Sequence, residues 1–156
     1  MRACLHFLLR CGHNHVGEYG PVQHCVELFL PGSRVFLGNM VPTCIDDDKA
    51  AAAAVNRRTL MRYVRLPNYR NYWIEAGFAE EMQAIREAIA NNESAKIPDL
   101  MSERWLQQVT LYGSAAEVRE GIEAWYETGI NTLIVVPSST RGGQMVAFQE
   151  LIDAFH

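Results

Sequence analysis

The sequence predicts an α/β fold, because amphipathic helices alternate with a strand that has the character of a buried one. Residues 131–137, NTLIVVP, form a continuous apolar and β-branched run between Gly129 and Pro137. Such a run is typical of a parallel strand that is covered on both faces. A helical pattern precedes it, and a short loop and a second helical pattern follow it. Helix, strand, loop and helix form the repeating unit of α/β folds.

The first long helix begins at an acidic turn. Asp46, Asp47 and Asp48 offer an N-cap and negative charge for the first turn, and KAAAAAVNRRTLMRYVR then supplies strong helix formers with basic residues toward the end. The helix stops at Pro67. Capping explains the three aspartates without a metal ion. Upstream, residues 34–46 predict a further strand, although Gly38 and Pro42 reduce its regularity.

Three later helices follow from the spacing of apolar residues. One covers 79–90, one opens with the capping box of Ser114 and Glu117 and ends at Gly129, and one closes the chain. Residues 91–99 are a polar connector, and residues 100–113 suggest a helix followed by a short passage. The apolar faces of the three helices carry, in chain order, Phe78, Met82, Ile85 and Ile89, then Val118, Ile122 and Trp125, then Met145, Phe148, Leu151, Ile152 and Phe155.

Two groups of side chains allow both a structural and a functional interpretation. Tyr69, Tyr72 and Trp73 either line a pocket or subunit contact, or pack beneath a connector, which is the favoured interpretation. Cys44 has no activating partner nearby in the sequence, so a buried thiol is favoured over a nucleophile. The sequence contains no Ser-His-Asp set, Walker loop, GxGxxG fingerprint or HExxH pair. We therefore predict no catalytic residue.

Composition limits the partners and the location of the chain. Its 156 residues are 49% hydrophobic, which is enough for one sizeable core. The net charge of -4 and the lack of a Lys/Arg run exclude nucleic acid and membrane surfaces as predicted partners. No apolar run approaches the roughly 20 residues of a membrane span. Four irregularly spaced cysteines predict reduced thiols in a cytoplasmic protein.

Three stretches carry a resemblance to a known family. They are VPTCIDDDKAAAAAV, RYVRLPNYRNYWIEAGF and LYGSAAEVREGIEAWYETGINTLIVVP. Together they resemble the C-terminal part of the luciferase-like monooxygenase family, the flavin- or deazaflavin-dependent (β/α)8 barrel oxidoreductases. The resemblance implies that residues 35–156 are the helix-rich C-terminal part of an incomplete TIM barrel, with its last two strands. It also implies an active site at the carboxyl ends of the strands.

The same resemblance implies the function. We expect an oxidoreductase or monooxygenase that acts on a small organic substrate with FMN or a deazaflavin coenzyme, which would carry the redox chemistry. The alternative is a non-catalytic α/β module of the same ancestry that oligomerises. Because an incomplete barrel exposes strand edges and helix faces, we expect a homo-oligomer in either case.

Residues 1–34 do not match the family, and we expect them to form an atypical segment. Their change in composition suggests an altered reading frame or start. Within them, CGHNHVGEYGPVQHC holds Cys11, His13, His15, His24 and Cys25, which are the residue types that bind zinc. A small metal-binding regulator is thus a further hypothesis. Zinc modules usually pair their ligands at other spacings, so an accidental or structural cluster is favoured and no metal ligand is predicted.

The loop SSTRGGQ, residues 138–144, is the best candidate for coenzyme binding. A loop that follows a late barrel strand and enters a helix N-terminus commonly cradles phosphate. Here the chain offers hydroxyl donors, a cationic fork and two glycines that allow close backbone approach. The alternative is a solvated loop with a capping serine or threonine. The predicted cofactor-binding residues are Ser138, Ser139, Thr140, Arg141, Gly142 and Gly143.

Overall fold

A computed structural model describes residues 38–156, which form a mixed α/β fold. Strands β1 (Gly38–Ile45), β2 (Leu111–Gly113) and β3 (Thr132–Ser138) make a parallel sheet in the order β2-β1-β3. The α/β prediction is confirmed. The expectation of two strands was wrong, because β2 has only three residues and is too short to show a period-2 pattern.

Helices fill the connections. The predicted helices are present, but the first one ends at Leu60 instead of reaching Pro67, and short helices at Ser94–Lys96 and Ile97–Leu100 lie where a polar connector was predicted. Five helices lie between β1 and β2, one joins β2 to β3, and one follows β3. They are α1 (Lys49–Leu60), α2 (Pro67–Glu75), α3 (Ala79–Ala90), α4 (Ile97–Leu100), α5 (Glu103–Val109), α6 (Ala115–Tyr126) and α7 (Gln144–Asp153), with short 3-10 helices at Tyr63–Arg65 and Ser94–Lys96.

Both predicted N-caps form. The Asp48 carboxylate accepts a hydrogen bond from the Ala51 amide at the start of α1. At the start of α6, Ser114 and Glu117 make the reciprocal bonds of a capping box. Each cap satisfies amide groups that have no acceptor inside the helix, which fixes where the chain turns from strand to helix.

The core lies on both faces of the sheet. One cluster joins Cys44 and Tyr112 to α1 and the helices that follow it, and Trp73 packs edge-on against Trp105 with ring centroids 4.8 Å apart. Packing beneath a connector is therefore confirmed for Trp73, which is buried, while Tyr69 stays partly exposed. The second cluster covers the opposite face. It consists of Val41, Leu111, Val118 and Trp125.

Strand β3 is less covered than its sequence suggests. Among residues 38–156 it pairs only with β1, and the Ile134 side chain is 44% exposed. Pro137 is the one buried residue of this strand. The prediction of cover on both faces was wrong, because an apolar run also fits an edge strand whose outward side chains have no helix above them.

Helix α7 packs through small residues. Ala147 and Ala154 are buried, whereas Met145, Phe148, Ile152 and Phe155 are all more than 40% exposed. The apolar stripe exists, but most of it faces outward. Among residues 38–156 this is an unusually apolar exposed helix face, since scattered single apolar residues are the normal case.

The strand order differs from that of a barrel. In a (β/α)8 barrel consecutive strands lie side by side. Here β3 lies beside β1, over seven paired positions from Gly38 opposite Thr132 to Cys44 opposite Ser138. Strand β1 is thus central, and it contains Pro42, which has no amide hydrogen to donate. The described residues show a three-stranded sheet and no barrel.

None of the helices between residues 38 and 156 has both the length and the apolar character that crossing a membrane requires.

Candidate active site at the carboxyl edge of the sheet

The three parallel strands end at one edge of the sheet, at Ile45, Gly113 and Ser138. From the central strand β1 the chain passes first to β2 on one side and then to β3 on the other. The point between β1 and β3 is therefore a topological switch point. In open α/β sheets, ligands bind in the crevice outside the carboxyl ends of the strands at such a point.

Asp46 joins all three strand ends at this edge. Its amide donates at 2.9 Å to the carbonyl of Gly113, the last residue of β2. One carboxylate oxygen accepts from the Asp48 amide at 2.8 Å, and the other accepts from the Thr140 hydroxyl beyond β3. The Thr140 hydrogen bond, with the Asp48 bond second, lowers the pKa of Asp46. Asp46 is therefore an ionised structural acceptor at the switch point, a role beyond helix capping.

The loop after β3 is organised around Glu150 of α7. The Ser139 hydroxyl donates to Glu150 Oε1 at 2.9 Å, and Arg141 donates to the same oxygen through Nε at 2.9 Å and Nη2 at 2.8 Å. The Arg141 amide in turn donates to Ser139 Oγ at 3.0 Å. Glu150 Oε2 is buried and has no hydrogen-bond partner among the described residues. Sequence reasoning did not identify Glu150, because it lies within an apolar helical stretch.

The two glycines of the loop have different roles. A Cβ on Gly142 would come within 2.7 Å of the Val146 side chain, so Gly142 lets the loop pass close to α7. Gly143 is the N-cap of α7, has open space around it and makes no side-chain cap bond. The amide groups of the first helical turn therefore lack the side-chain acceptor that α1 and α6 have. Ser138 ends β3 and is half-buried.

A second polar group lies beyond β2. Glu117 accepts from the Ser114 amide at 2.8 Å and pairs with Lys49 Nζ of α1 at 2.7 Å. The Lys49 hydrogen bond is the largest cause that lowers the pKa of Glu117 to about 2, followed by the bonds from Ser114. Gly113 has a φ of +123°, and a side chain there would collide with the Glu117 carboxylate. Lys49 was not identified from the sequence, because only the fold brings it to Glu117.

Cys44 lies beneath this edge. It is fully buried, which confirms a buried thiol. Burial, and then the negative charges of Glu150 and Asp46, raise the pKa of the Cys44 thiol to about 11. Such a thiol is a poor nucleophile.

Two other features lie away from the switch point. On α5, Glu103 accepts from the Tyr112 hydroxyl and pairs with Arg57 at 3.1 Å, and the Tyr112 bond is the largest cause that lowers its pKa. An open cavity of about 480 Å³ is lined by Ala54, Arg57, Arg58, Pro98 and Asp99. This cavity lies along α1 and α4, away from the strand ends. The polar loop residues lie at the strand ends, so the candidate site is there.

A family model described as luciferase-like monooxygenase matches residues 30–132. The chain belongs to the luciferase-like monooxygenase family. The matched region of this family member runs through β1, β2 and α6 and ends at the first residue of β3, so it includes Asp46 but not the loop at 138–143. Comparison with curated proteins and with solved structures gave no significant match.

The family generally uses flavin-type cofactors, and the phosphate group of such a coenzyme would need hydrogen-bond donors from the loop. The donor set fits, because a guanidinium, hydroxyls and a helix start without a side-chain cap are all phosphate ligands. In the structure, however, Ser139 and Arg141 are bound to Glu150, and Thr140 is bound to Asp46. A phosphate at this family member's loop must therefore take donors from a carboxylate. The six predicted cofactor-binding residues stay a prediction.

No metal centre is seen in the part of the chain that the structure describes. Within residues 38–156, no three His, Cys, Asp or Glu side chains come together as metal ligands would. The cysteine and histidine cluster at residues 11–25 lies outside the described residues.

We predict that Cys44 resists alkylation in the folded protein. With a pKa of about 11, only about one thousandth of the thiol is ionised at pH 8, and the side chain is fully buried. Iodoacetamide treatment of the native protein, followed by digestion and mass spectrometry, should leave the Cys44 peptide unmodified, whereas the denatured protein should be modified fully. Rapid labelling of the native protein would contradict the burial of this thiol.

We also predict that Glu117 makes the free energy of unfolding depend on pH in the acidic range. Its pKa is lowered in the folded state, so its contribution is complete above the unfolded value near 4.5 and is lost as the pH falls toward about 2. Urea unfolding between pH 6 and pH 2.5 should show a smaller acid loss for Glu117→Gln than for the native chain. Glu123→Gln, at an exposed position of the same helix, should leave the slope unchanged. Equal slopes for all three proteins would contradict the role of Glu117.

Proposed function

We propose that this protein takes part in a flavin- or deazaflavin-dependent oxidoreductase or monooxygenase reaction on a small organic substrate. Family membership supports the class of reaction. The Thr140–Asp46 hydrogen bond supports the proposed position of the binding site, because it holds the loops after β1 and β3 together at the switch point. Ligands bind at this point in other open α/β sheets.

In this proposal the chain's own residues bind and orient the phosphate end of the coenzyme. Arg141 is 67% exposed, so its guanidinium is accessible from solvent. Ser139 and the uncapped start of α7 at Gly143 lie on the same loop. A bound flavin or deazaflavin supplies the redox chemistry. Asp46 and Glu117 keep the loops in place through hydrogen bonds and thereby define where the coenzyme lies.

The family's (β/α)8 barrel is the finer part of the fold proposal. Parallel strands linked by helices, with polar loops at the carboxyl edge, are features of such a barrel, whereas the strand order β2-β1-β3 is not. Strands beyond those described would be needed to close it. The cytoplasmic location expected from cysteine usage belongs to the same proposal.

We predict that the chain binds FMN or a deazaflavin, and that Arg141→Ala weakens this binding roughly tenfold or more, because a charge-assisted hydrogen bond to phosphate is lost. Fluorescence quenching in a titration with each coenzyme measures the affinity. Arg86→Ala, which removes the same charge from an exposed position of α3, is the matched control and should bind like the native chain.

Each outcome of this titration is informative. Saturable binding that Arg141→Ala weakens and Arg86→Ala does not supports the proposed site. Binding that both variants retain would remove Arg141 from the site. If neither coenzyme binds to the native chain, the proposed function fails.

A second candidate function is a non-catalytic module that associates with itself. The specific observation is the outward apolar face of α7, where Met145 is 78% and Phe148 43% exposed. Like faces from two copies would remove this apolar surface from water. The candidate also agrees with the position of β3 at the edge of the sheet that residues 38–156 form, because an edge strand can pair with a further strand.

We predict that Phe148→Gln lowers the average molar mass measured by light scattering across a concentration series. The substitution removes apolar area from the proposed contact at a side chain that is already partly exposed, so the fold should tolerate it. Leu66→Gln, at a similarly exposed position far along the chain, is the control. A monomer mass for the native chain at all concentrations would exclude this candidate.

A further inference from the structure

The loop after β3 contains a position at which three donors converge on a single oxygen atom. Ser139 Oγ, Arg141 Nε and Arg141 Nη2 lie 2.9, 2.9 and 2.8 Å from Glu150 Oε1. The Arg141 amide bonds to Ser139 Oγ, which orients the serine hydroxyl toward the same point. Two guanidinium donors and an oriented hydroxyl are the arrangement that proteins use to hold an anionic oxygen of a carboxylate or phosphate.

The other oxygen of the same carboxylate is in a very different environment. The Glu150 side chain is only 8% exposed, and its Oε2 atom is buried without a hydrogen-bond partner among residues 38–156. A buried charged oxygen without a donor is energetically unfavourable. Glu150 is therefore held at this position mainly through one of its two oxygens. The three donors suit an anion, but Glu150 accepts from them through Oε1 only and leaves Oε2 without a donor among residues 38–156.

We propose that Glu150 is an internal competitor for a phosphoryl-binding site formed by Ser139 and Arg141. A phosphoryl oxygen takes the position of Glu150 Oε1, and the affinity of the site is set by how readily Glu150 gives up these donors. This inference deepens the proposed function, and it rests on that function only for the identity of the molecule that carries the phosphoryl group.

The exposure of the two partners explains why competition would be effective. Arg141 is 67% exposed, and ion pairs with an exposed partner are weak and open easily. Glu150 is buried, and a buried carboxylate that loses its partner carries a large desolvation cost. The Arg141 side chain can therefore reach a ligand from the surface, but when it leaves Glu150 the buried carboxylate loses its partner, and this cost opposes ligand binding. The native chain should therefore bind phosphate weakly, and a neutral residue at position 150 should strengthen binding.

The test is a calorimetric titration of the whole chain with inorganic phosphate at constant ionic strength. Glu150→Gln removes the competing charge and keeps a side chain of the same shape, so we expect binding about tenfold tighter than in the native chain. Asp153→Asn removes one charge from an exposed position of the same helix, where Asp153 accepts a hydrogen bond from Gln149, and is the matched control. The double variant Glu150→Gln with Arg141→Ala should lose the gain. Circular dichroism checks that each variant is folded.

Glu150→Asp provides a second route, because Gln at a buried position can impair folding. Aspartate keeps the charge but withdraws the carboxylate by one methylene group, so a smaller gain in phosphate affinity is expected. The proposal is overturned if neither folded variant binds phosphate more tightly than the native chain. It is also overturned if Asp153→Asn gives the same gain, or if the gain persists without Arg141, since either result indicates a general effect of net charge.

Titration of the same variants with FMN and with a deazaflavin separates this inference from the proposed function. If phosphate affinity rises in Glu150→Gln while neither coenzyme binds to any variant, the competitor role stands and the coenzyme assignment fails. If both coenzymes bind equally to the native chain and to Glu150→Gln, and phosphate does so as well, the coenzyme assignment stands and the competitor role fails.

Discussion

The hydrogen bonds of Asp46 hold the carboxyl edge of the sheet together. Through its amide this residue bonds to the end of β2, and through its carboxylate it bonds to the loop after β3 and to the turn that starts α1. Thr140 lies 94 residues further along the chain, so this contact closes a long connection. An ionised acceptor with several donors suits such a position, because each donor stabilises the charged form.

The local features of the fold were predictable from the sequence, and its long-range features were not. Asp48 and Ser114 cap their helices as predicted, because capping depends on residues only three positions apart. The position of β3 beside β1 depends on how the connections cross the sheet, which no local pattern records. The strand β2 was missed because its three residues are too few to show a strand pattern, and only its pairing with Thr43, Cys44 and Ile45 identifies it as a strand.

The candidate site shows the same division. The loop at 138–143 was recognisable as a set of hydrogen-bond donors from its composition alone. Its acceptors were not, because Asp46 and Glu150 become neighbours of the loop only in the folded chain. Glu150 was also difficult to identify because it lies in an apolar helical sequence. The large apolar side chains of α7 predicted the buried face, whereas the small side chains are the ones that pack inward. The spacing of Ala147, Glu150 and Ala154, which places the carboxylate on the same helix face as the two alanines, could have indicated a buried Glu150.

Strand β1 is supported unevenly along its length. Thr43 and Cys44 have a neighbouring strand on each side, whereas Gly38 to Pro42 are paired with β3 alone among the described residues. Pro42 lies where these two halves meet and contributes no amide to the hydrogen-bond ladder. Local opening follows the least supported part of a structure. The amino half of β1 can therefore separate transiently from β3 as a small unit, while the polar edge that carries the candidate site keeps its geometry.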